Sequence, residues 1–212
     1  MKRWRLVVVE FAHHLPFTTI GTLIAMAGVW WFGSQHLSDG HPEGLFTQSR
    51  SLFHLFHPLH ICLSAIATTS LFWRHERHVL RAAIVGAVGT IVPCGLSDYF
   101  FPYLGGLLVG QTMELHMCIV DHPQLFYPFL ALGILAGFWA ESRLTGSHLF
   151  SHGAHVFISS TASLLYLLSF GFTAWMMDVR LVFPAFATIV LAVWIPCCIS
   201  DVVIPVSTAH TE

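Results

Sequence analysis

Residues 93–102 read Pro-Cys-Gly-Leu-Ser-Asp-Tyr-Phe-Phe-Pro, and residues 196–205 read Pro-Cys-Cys-Ile-Ser-Asp-Val-Val-Ile-Pro. Both stretches follow the pattern P-C-x-[LI]-S-D-x-x-x-P, which we call the PCxxSD motif. A second pattern, H-x-x-H followed by three mostly apolar residues and a serine, occurs at residues 57–64 and again at residues 152–159. The two patterns recur in the same order, so they indicate an internal duplication.

The letters that agree between the copies are His, Ser, Pro, Cys and Asp, which are informative because polar and ionisable residues are rare inside apolar spans. A weaker match pairs His14, at the head of the first apolar run, with His122, at the head of the fourth. We therefore predict one domain, 1–212, built from two copies of one unit. Repeat one covers 5–103 and repeat two covers 114–206.

The composition predicts an all-α integral membrane protein. Of the 212 residues, 55% are hydrophobic and only 9% are charged, against about 25% charged in soluble domains. A spanning helix needs about 20 largely apolar residues, and six runs satisfy this: 16–33, 51–73, 79–97, 123–140, 149–171 and 181–204. Residues 98–121 are expected to form a re-entrant or interfacial segment. No basic stripe or stacking motif points to nucleic acid.

Each repeat contains three spans, so the second copy must cross the bilayer in the opposite direction to the first. This is the inverted-topology repeat found in many transporters. Seven of the nine Lys and Arg residues fall on the side of the N-terminus, which predicts that both termini are cytoplasmic. The compact loops and the absence of a targeting segment favour a prokaryotic inner membrane.

The repeated polar residues predict metal binding. Histidines at i and i+3 lie on one helix face, and ionisable groups within spans usually face the interior of the bundle. Imidazole and carboxylate ligands suit zinc, iron or manganese. The predicted metal ligands are His57, His60 and Asp98 in repeat one, His152, His155 and Asp201 in repeat two, His122 beside the first set, and His13 and His14 beside the second.

The topology predicts one such site toward each face of the membrane, and the two sites approach the midplane only where helices are broken. Pro58 and Gly153 follow the first histidine of each HxxH. Proline removes a backbone donor, so we expect broken helices near the HxxH and PCxxSD motifs. Cys94 and Cys197 are soft enough to bind zinc, but a buried cysteine usually serves only in packing. His54 is expected to lie beside a site rather than in it.

Three functions fit this pattern. The favoured one is a transporter or exchanger of divalent transition-metal ions, with alternating access, no catalytic residue, and the lipid bilayer and the metal ion as partners; a homo-oligomer is compatible with it. The second is a membrane metalloenzyme with a di-iron or zinc centre acting on an apolar substrate. The third is a haem-binding electron carrier, in which His57 or His60 pairs with His122, or His13 or His14 pairs with His152 or His155.

Overall fold

The computed structural model describes residues 2–38, 42–140 and 148–209, and within these ranges every regular element is helical. The α-helices are α1 (Lys2–Ser38), α2 (Pro42–His75), α3 (Val79–Gly95), α4 (Phe101–Leu108), α5 (Cys118–Asp121), α6 (Pro123–Ala140), α7 (His148–Phe170), α8 (Val179–Cys198) and α9 (Ile204–Thr208). A short 3₁₀ turn, Ala174–Met176, lies between α7 and α8.

Six helical segments are long and apolar enough to cross a membrane, which confirms the predicted class of membrane protein. They are His14–His36, Gly44–His75, Val79–Leu108, Pro123–Ala140, Gly153–Phe170 and Val179–Thr208. The third span is longer than predicted. Residues 98–108, expected in a re-entrant segment, instead complete this helix, and only 109–117 form an open loop before α5.

The HxxH motifs do not break their helices. Pro58 lies inside α2 and Gly153 lies inside α7, and both helices are continuous there. The helices also continue through the PCxxSD motifs, where a π-helical turn joins two α-helices and changes only the hydrogen-bond register. These turns are Leu96–Phe100, between α3 and α4, and Ile199–Val203, between α8 and α9.

The spacing of the PCxxSD motif explains the first π-turn. The N–H of Phe101 donates to the carbonyl of Leu96, five residues back, and so leaves the carbonyl of Ser97 without its α-helical donor. In the π register the next donor to Ser97 would be residue 102. That residue is Pro102, which has no N–H. The Ser97 carbonyl therefore needs a donor from outside its own helix.

The second motif repeats this arrangement, and hydroxyl groups from the opposite half supply both missing donors. The N–H of Ile204 donates to Ile199, and Pro205 leaves the carbonyl of Ser200 without an intrahelical donor. The hydroxyl of Thr68, on α2, donates to the Ser200 carbonyl at 3.1 Å. The hydroxyl of Ser163, on α7, donates to the Ser97 carbonyl at 3.0 Å.

Helix α2 lies at the centre of the bundle and packs against α3, α6 and α7. Small residues allow the close approach of these helices, as is usual in membranes. A Cβ atom added at Gly133 of α6 would lie 2.5 Å from the backbone oxygen of Cys62 and 2.7 Å from the Cβ of Ala65, both on α2. The contact between α2 and α6 therefore requires glycine at position 133.

We expect Gly133→Ala to lower the free energy of unfolding by roughly 1–3 kcal/mol, because the new methyl group meets backbone that cannot move aside. The thermal unfolding midpoint in detergent measures this. The control is Gly28→Ala, since a Cβ at Gly28 meets nothing within 4 Å. Equal midpoints for the two variants would contradict the close contact of α2 with α6.

Candidate metal centre

His60 and His155, the second histidines of the two HxxH motifs, meet inside the bundle. Their Nε2 atoms are 2.8 Å apart, and both side chains are buried. The sequence predicted sites toward opposite faces, because α2 was expected to begin near residue 51. It begins at Pro42, so His60 lies in the middle of the helix. The two histidines therefore meet although α2 and α7 are unbroken.

Each of these histidines is held by the aspartate of its own repeat. His60 Nδ1 donates to Asp98 Oδ2 at 2.7 Å, and His155 Nδ1 lies 3.1 Å from Asp201 Oδ2. An ionised carboxylate can only accept, so both imidazoles carry hydrogen on Nδ1. Their Nε2 lone pairs then point at each other across 2.8 Å. Two facing lone pairs repel unless a proton or a metal cation lies between them.

The cysteines of the two PCxxSD motifs lie beside this contact. Cys94 Sγ is 3.8 Å and Cys197 Sγ is 3.7 Å from His60 Nε2, and both thiols are buried. Zinc–nitrogen and zinc–sulfur bonds of about 2.05 and 2.3 Å give nitrogen–sulfur distances of about 3.6 Å in a tetrahedral site. Both sulfur atoms are therefore at coordinating distance from His60 Nε2, whereas the two nitrogen atoms would have to separate by about 0.5 Å to reach the tetrahedral spacing.

A buried group of three ligands, His60, His155 and Cys197, can thus hold a metal ion, because their ligand atoms all lie within 4.8 Å of one another. Cys94 occupies the equivalent position to Cys197 in the first repeat, but its sulfur, which is close to His60, does not belong to this group of three. Two imidazoles and one sulfur are ligands that zinc favours. The carboxylates on the outer nitrogens match the support that metal-binding histidines usually have.

Asp98 makes four polar contacts, which use both of its oxygens. Oδ2 accepts from His60 and, at 2.8 Å, from His57 Nδ1. Oδ1 accepts from the hydroxyls of Ser97 at 2.7 Å and Ser159 at 3.2 Å. In this geometry the carboxylate orients the histidines, and the sulfur atoms lie where the sequence analysis expected carboxylate ligands.

The remaining predicted ligands lie elsewhere. His57 shares Asp98 with His60, but its Nε2 has no hydrogen-bond partner within the described part of the chain. His122 belongs to a separate group, with His54 and His116. His14 is buried on α1, where its carbonyl accepts from the hydroxyl of Thr18. The side chains of His13 and His152 fall outside the described residues.

Sequence reasoning undervalued two groups of residues. Cys94 and Cys197 carried a signal, because they occupy equivalent positions in a repeated motif, but repetition alone does not separate a ligand from a packed thiol. His116 carried none, since it belongs to neither motif and lies in a loop with no counterpart in the other repeat.

Comparison with protein-family models, with curated proteins and with solved structures finds no match for this chain. The reasoning about function therefore rests on the geometry of the described residues.

We expect Asp98→Asn to weaken metal binding by about 10–100-fold, because a neutral amide accepts the two Nδ1–H groups more weakly than the charged carboxylate does. Competition with a chromophoric zinc chelator in detergent measures the affinity. Asp178→Asn is the matched control, since Asp178 caps α8 and pairs with the exposed Arg180. Equal affinity for Asp98→Asn and wild type would show that the carboxylate does not support a metal ligand.

Proposed function

We propose that the protein carries a divalent transition-metal ion across the bilayer, and that zinc is the ion its ligands favour. The observation behind this proposal is the contact between His60 and His155. Their Nε2 atoms are 2.8 Å apart, each with an aspartate on Nδ1. Equivalent residues of the two halves would contribute equally to one buried site.

The proposal includes an inverted repeat, in which α1 to α4 and α6 to α9 are related by an axis that passes between His60 and His155. Three observations support it. Helices α2 and α7 run antiparallel, since His60 meets His155 while Phe53 meets Phe170. Both PCxxSD motifs contain a π-turn. The hydroxyl bonds from Thr68 and Ser163 to these turns are reciprocal between the halves.

A site on such an axis suits alternating access, because rocking one half against the other would open it to either face in turn. Charge balance suggests the coupling. Asp98 and Asp201 place two carboxylates inside the bundle, where uncompensated charge is costly. One divalent cation balances them, and so do two imidazolium protons. A metal ion that displaces the two imidazolium protons leaves the charge of the carboxylates balanced, and a cysteine that binds as thiolate releases one proton more, so the site favours a metal–proton exchanger with at least two protons per metal ion.

The geometry favours this function over the two alternatives. The haem alternative pairs His57 or His60 with His122, or His13 or His14 with His152 or His155. His122 instead lies against the ring of His54. His60 and His155 contact each other at 2.8 Å, which is less than the roughly 4 Å between axial ligands with metal–nitrogen bonds of about 2 Å. A catalytic zinc keeps one position open to water, whereas at the buried central group the thiol of Cys94, which lies beside His60, would close the tetrahedron by moving into the group. A closed set shared between two halves suits an ion that is bound, carried and released.

We expect purified protein in liposomes to transport zinc in one direction while protons flow down their gradient in the other. We expect His155→Ala to reduce this zinc flux to that of empty liposomes, because the ion loses a ligand from the second half. A zinc-sensitive dye inside the liposomes measures the flux. His75→Ala is the matched control, since within the described ranges its ring hydrogen-bonds to the carbonyl of Leu71, at the exposed end of α2 and away from both histidine groups.

Two results would contradict the proposal. Stoichiometric zinc without flux in either direction would indicate a structural metal. No bound metal after zinc is added back to chelator-free protein would leave His60 and His155 as a proton-sharing pair. A Soret band in the purified protein would instead support haem binding.

The inverted repeat and the cytoplasmic termini predict a definite topology. We expect a membrane-impermeant thiol reagent to label Arg77→Cys only from the cytoplasmic face and Met177→Cys only from the opposite face, since these exposed residues lie at opposite ends of the bundle. Wild-type protein gives the background, because four of its cysteines are buried and Cys62 is partly buried within α2. Labelling of both variants from one face would contradict the topology.

A further inference from the structure

A second group of histidines lies apart from the central pair. His54, on α2, His116, in the loop after α4, and His122, directly after α5, have ligand atoms that all lie within 4.8 Å of one another. His54 Nε2 is 3.0 Å from His116 Nε2, and the His54 and His122 rings are 4.3 Å apart. All three side chains are partly buried, and they come from three separate parts of the chain.

The orientation of His116 repeats the arrangement at the centre. Its Nδ1 lies 3.0 Å from Asp121 Oδ2, and the same oxygen accepts from the backbone N–H of Met117 at 2.9 Å. The His116 ring stacks on Phe170 at 4.8 Å and 11°. With Nδ1 directed at the carboxylate, Nε2 presents its lone pair to His54, as His60 does to His155.

The loop that carries His116 is anchored rather than loose. The backbone N–H of His116 donates to the Tyr166 hydroxyl at 3.2 Å, and that hydroxyl donates to the Glu114 carbonyl at 2.8 Å. The N–H of Glu114 in turn donates to the carbonyl of Phe170.

We propose that His54, His116 and His122 bind a second divalent transition-metal ion, at the end of the bundle where the loop between the two halves lies. Three imidazoles with one position left for water form a zinc site of a common type. Asp121 would orient His116 as Asp98 orients His60. The open position distinguishes this site from the closed set at the centre and suits an ion that enters from or leaves to water.

A histidine also lies between the two groups. His54, His57 and His60 follow at intervals of three residues on α2, a rise of about 4.5 Å per step. His57 is fully buried, its Nδ1 is held by Asp98, and its Nε2 has no hydrogen-bond partner in the described ranges. Its ring stacks on Phe53 at 5.4 Å. Passage of the ion from the outer group to the centre by way of His57 rests on the proposed transport function, whereas binding at the outer group does not.

The test is titration of the full-length protein with Co²⁺, followed by its visible spectrum and by equilibrium dialysis. We expect wild type to bind two ions, one of them with the thiolate-to-metal charge-transfer band of a site with cysteine ligands. We expect His116→Ala to bind one ion and keep the band, and His155→Ala to bind one ion and lose it. Asp121→Asn should weaken the outer site by about 10–100-fold and leave the band unchanged.

Two control variants test whether the loss of a bound ion is specific to the three histidines. Cys118 Sγ lies 3.8 Å from His116 Nε2 but does not belong to the group whose ligand atoms all lie within 4.8 Å of one another, so Cys118→Ser should leave the stoichiometry and the band unchanged. His36→Ala removes a histidine whose ring, among the described residues, hydrogen-bonds to the Phe32 carbonyl of its own helix, and this variant should also bind two ions.

An unchanged stoichiometry in His116→Ala, together with an unchanged affinity in Asp121→Asn, would overturn the outer site. One ion in wild type that His116→Ala removes, with no charge-transfer band in any variant, would support the outer site while contradicting the central one.

Discussion

The contact between His60 and His155 is the constraint on which the rest of the structure depends. Each imidazole directs Nδ1 at a buried carboxylate, so the two Nε2 lone pairs face each other 2.8 Å apart. Without a proton or a metal cation between the rings, the two carboxylates would leave uncompensated negative charge in an apolar interior, which is costly. The two cysteines lie beside His60, and hydroxyl groups donate to Asp98, so the surrounding side chains also contact this histidine pair or its carboxylate.

The PCxxSD motif connects this constraint to the backbone. Its aspartate holds the histidine, its cysteine lies beside the facing nitrogens, and its second proline removes the donor that Ser97 or Ser200 would otherwise have in a π-helix. The hydroxyls of Ser163 and Thr68 then complete the hydrogen bonding from the opposite half. One ten-residue pattern thus supplies a possible ligand, the group that orients a ligand, and the main polar link between halves.

Much of this was predictable from the sequence. Six apolar runs fixed the number of spanning helices, and the repeated His, Cys and Asp letters indicated His60, His155, Asp98 and Asp201. The depth of His60 within the bundle was not predictable, because it depends on where α2 begins. An apolar run in the sequence does not show where a helix starts or ends if that helix continues past the membrane surface. The outer group was not predictable either. His116 approaches His54 only through the fold of an irregular loop, and no periodicity encodes that approach.

The hydroxyl hydrogen bonds at the π-turns also couple separation of the two halves to the entry of water. Ser163 can turn its hydroxyl to the Ser159 carbonyl of its own helix, at 2.9 Å, so the hydroxyl itself loses nothing when the halves part. The Ser97 carbonyl has no such substitute. A buried carbonyl without a donor is costly, so separation of the halves is favourable only when solvent reaches that oxygen. Wetting of the cavity and parting of the halves would therefore occur as one event, and the ion would meet water on the side that opens.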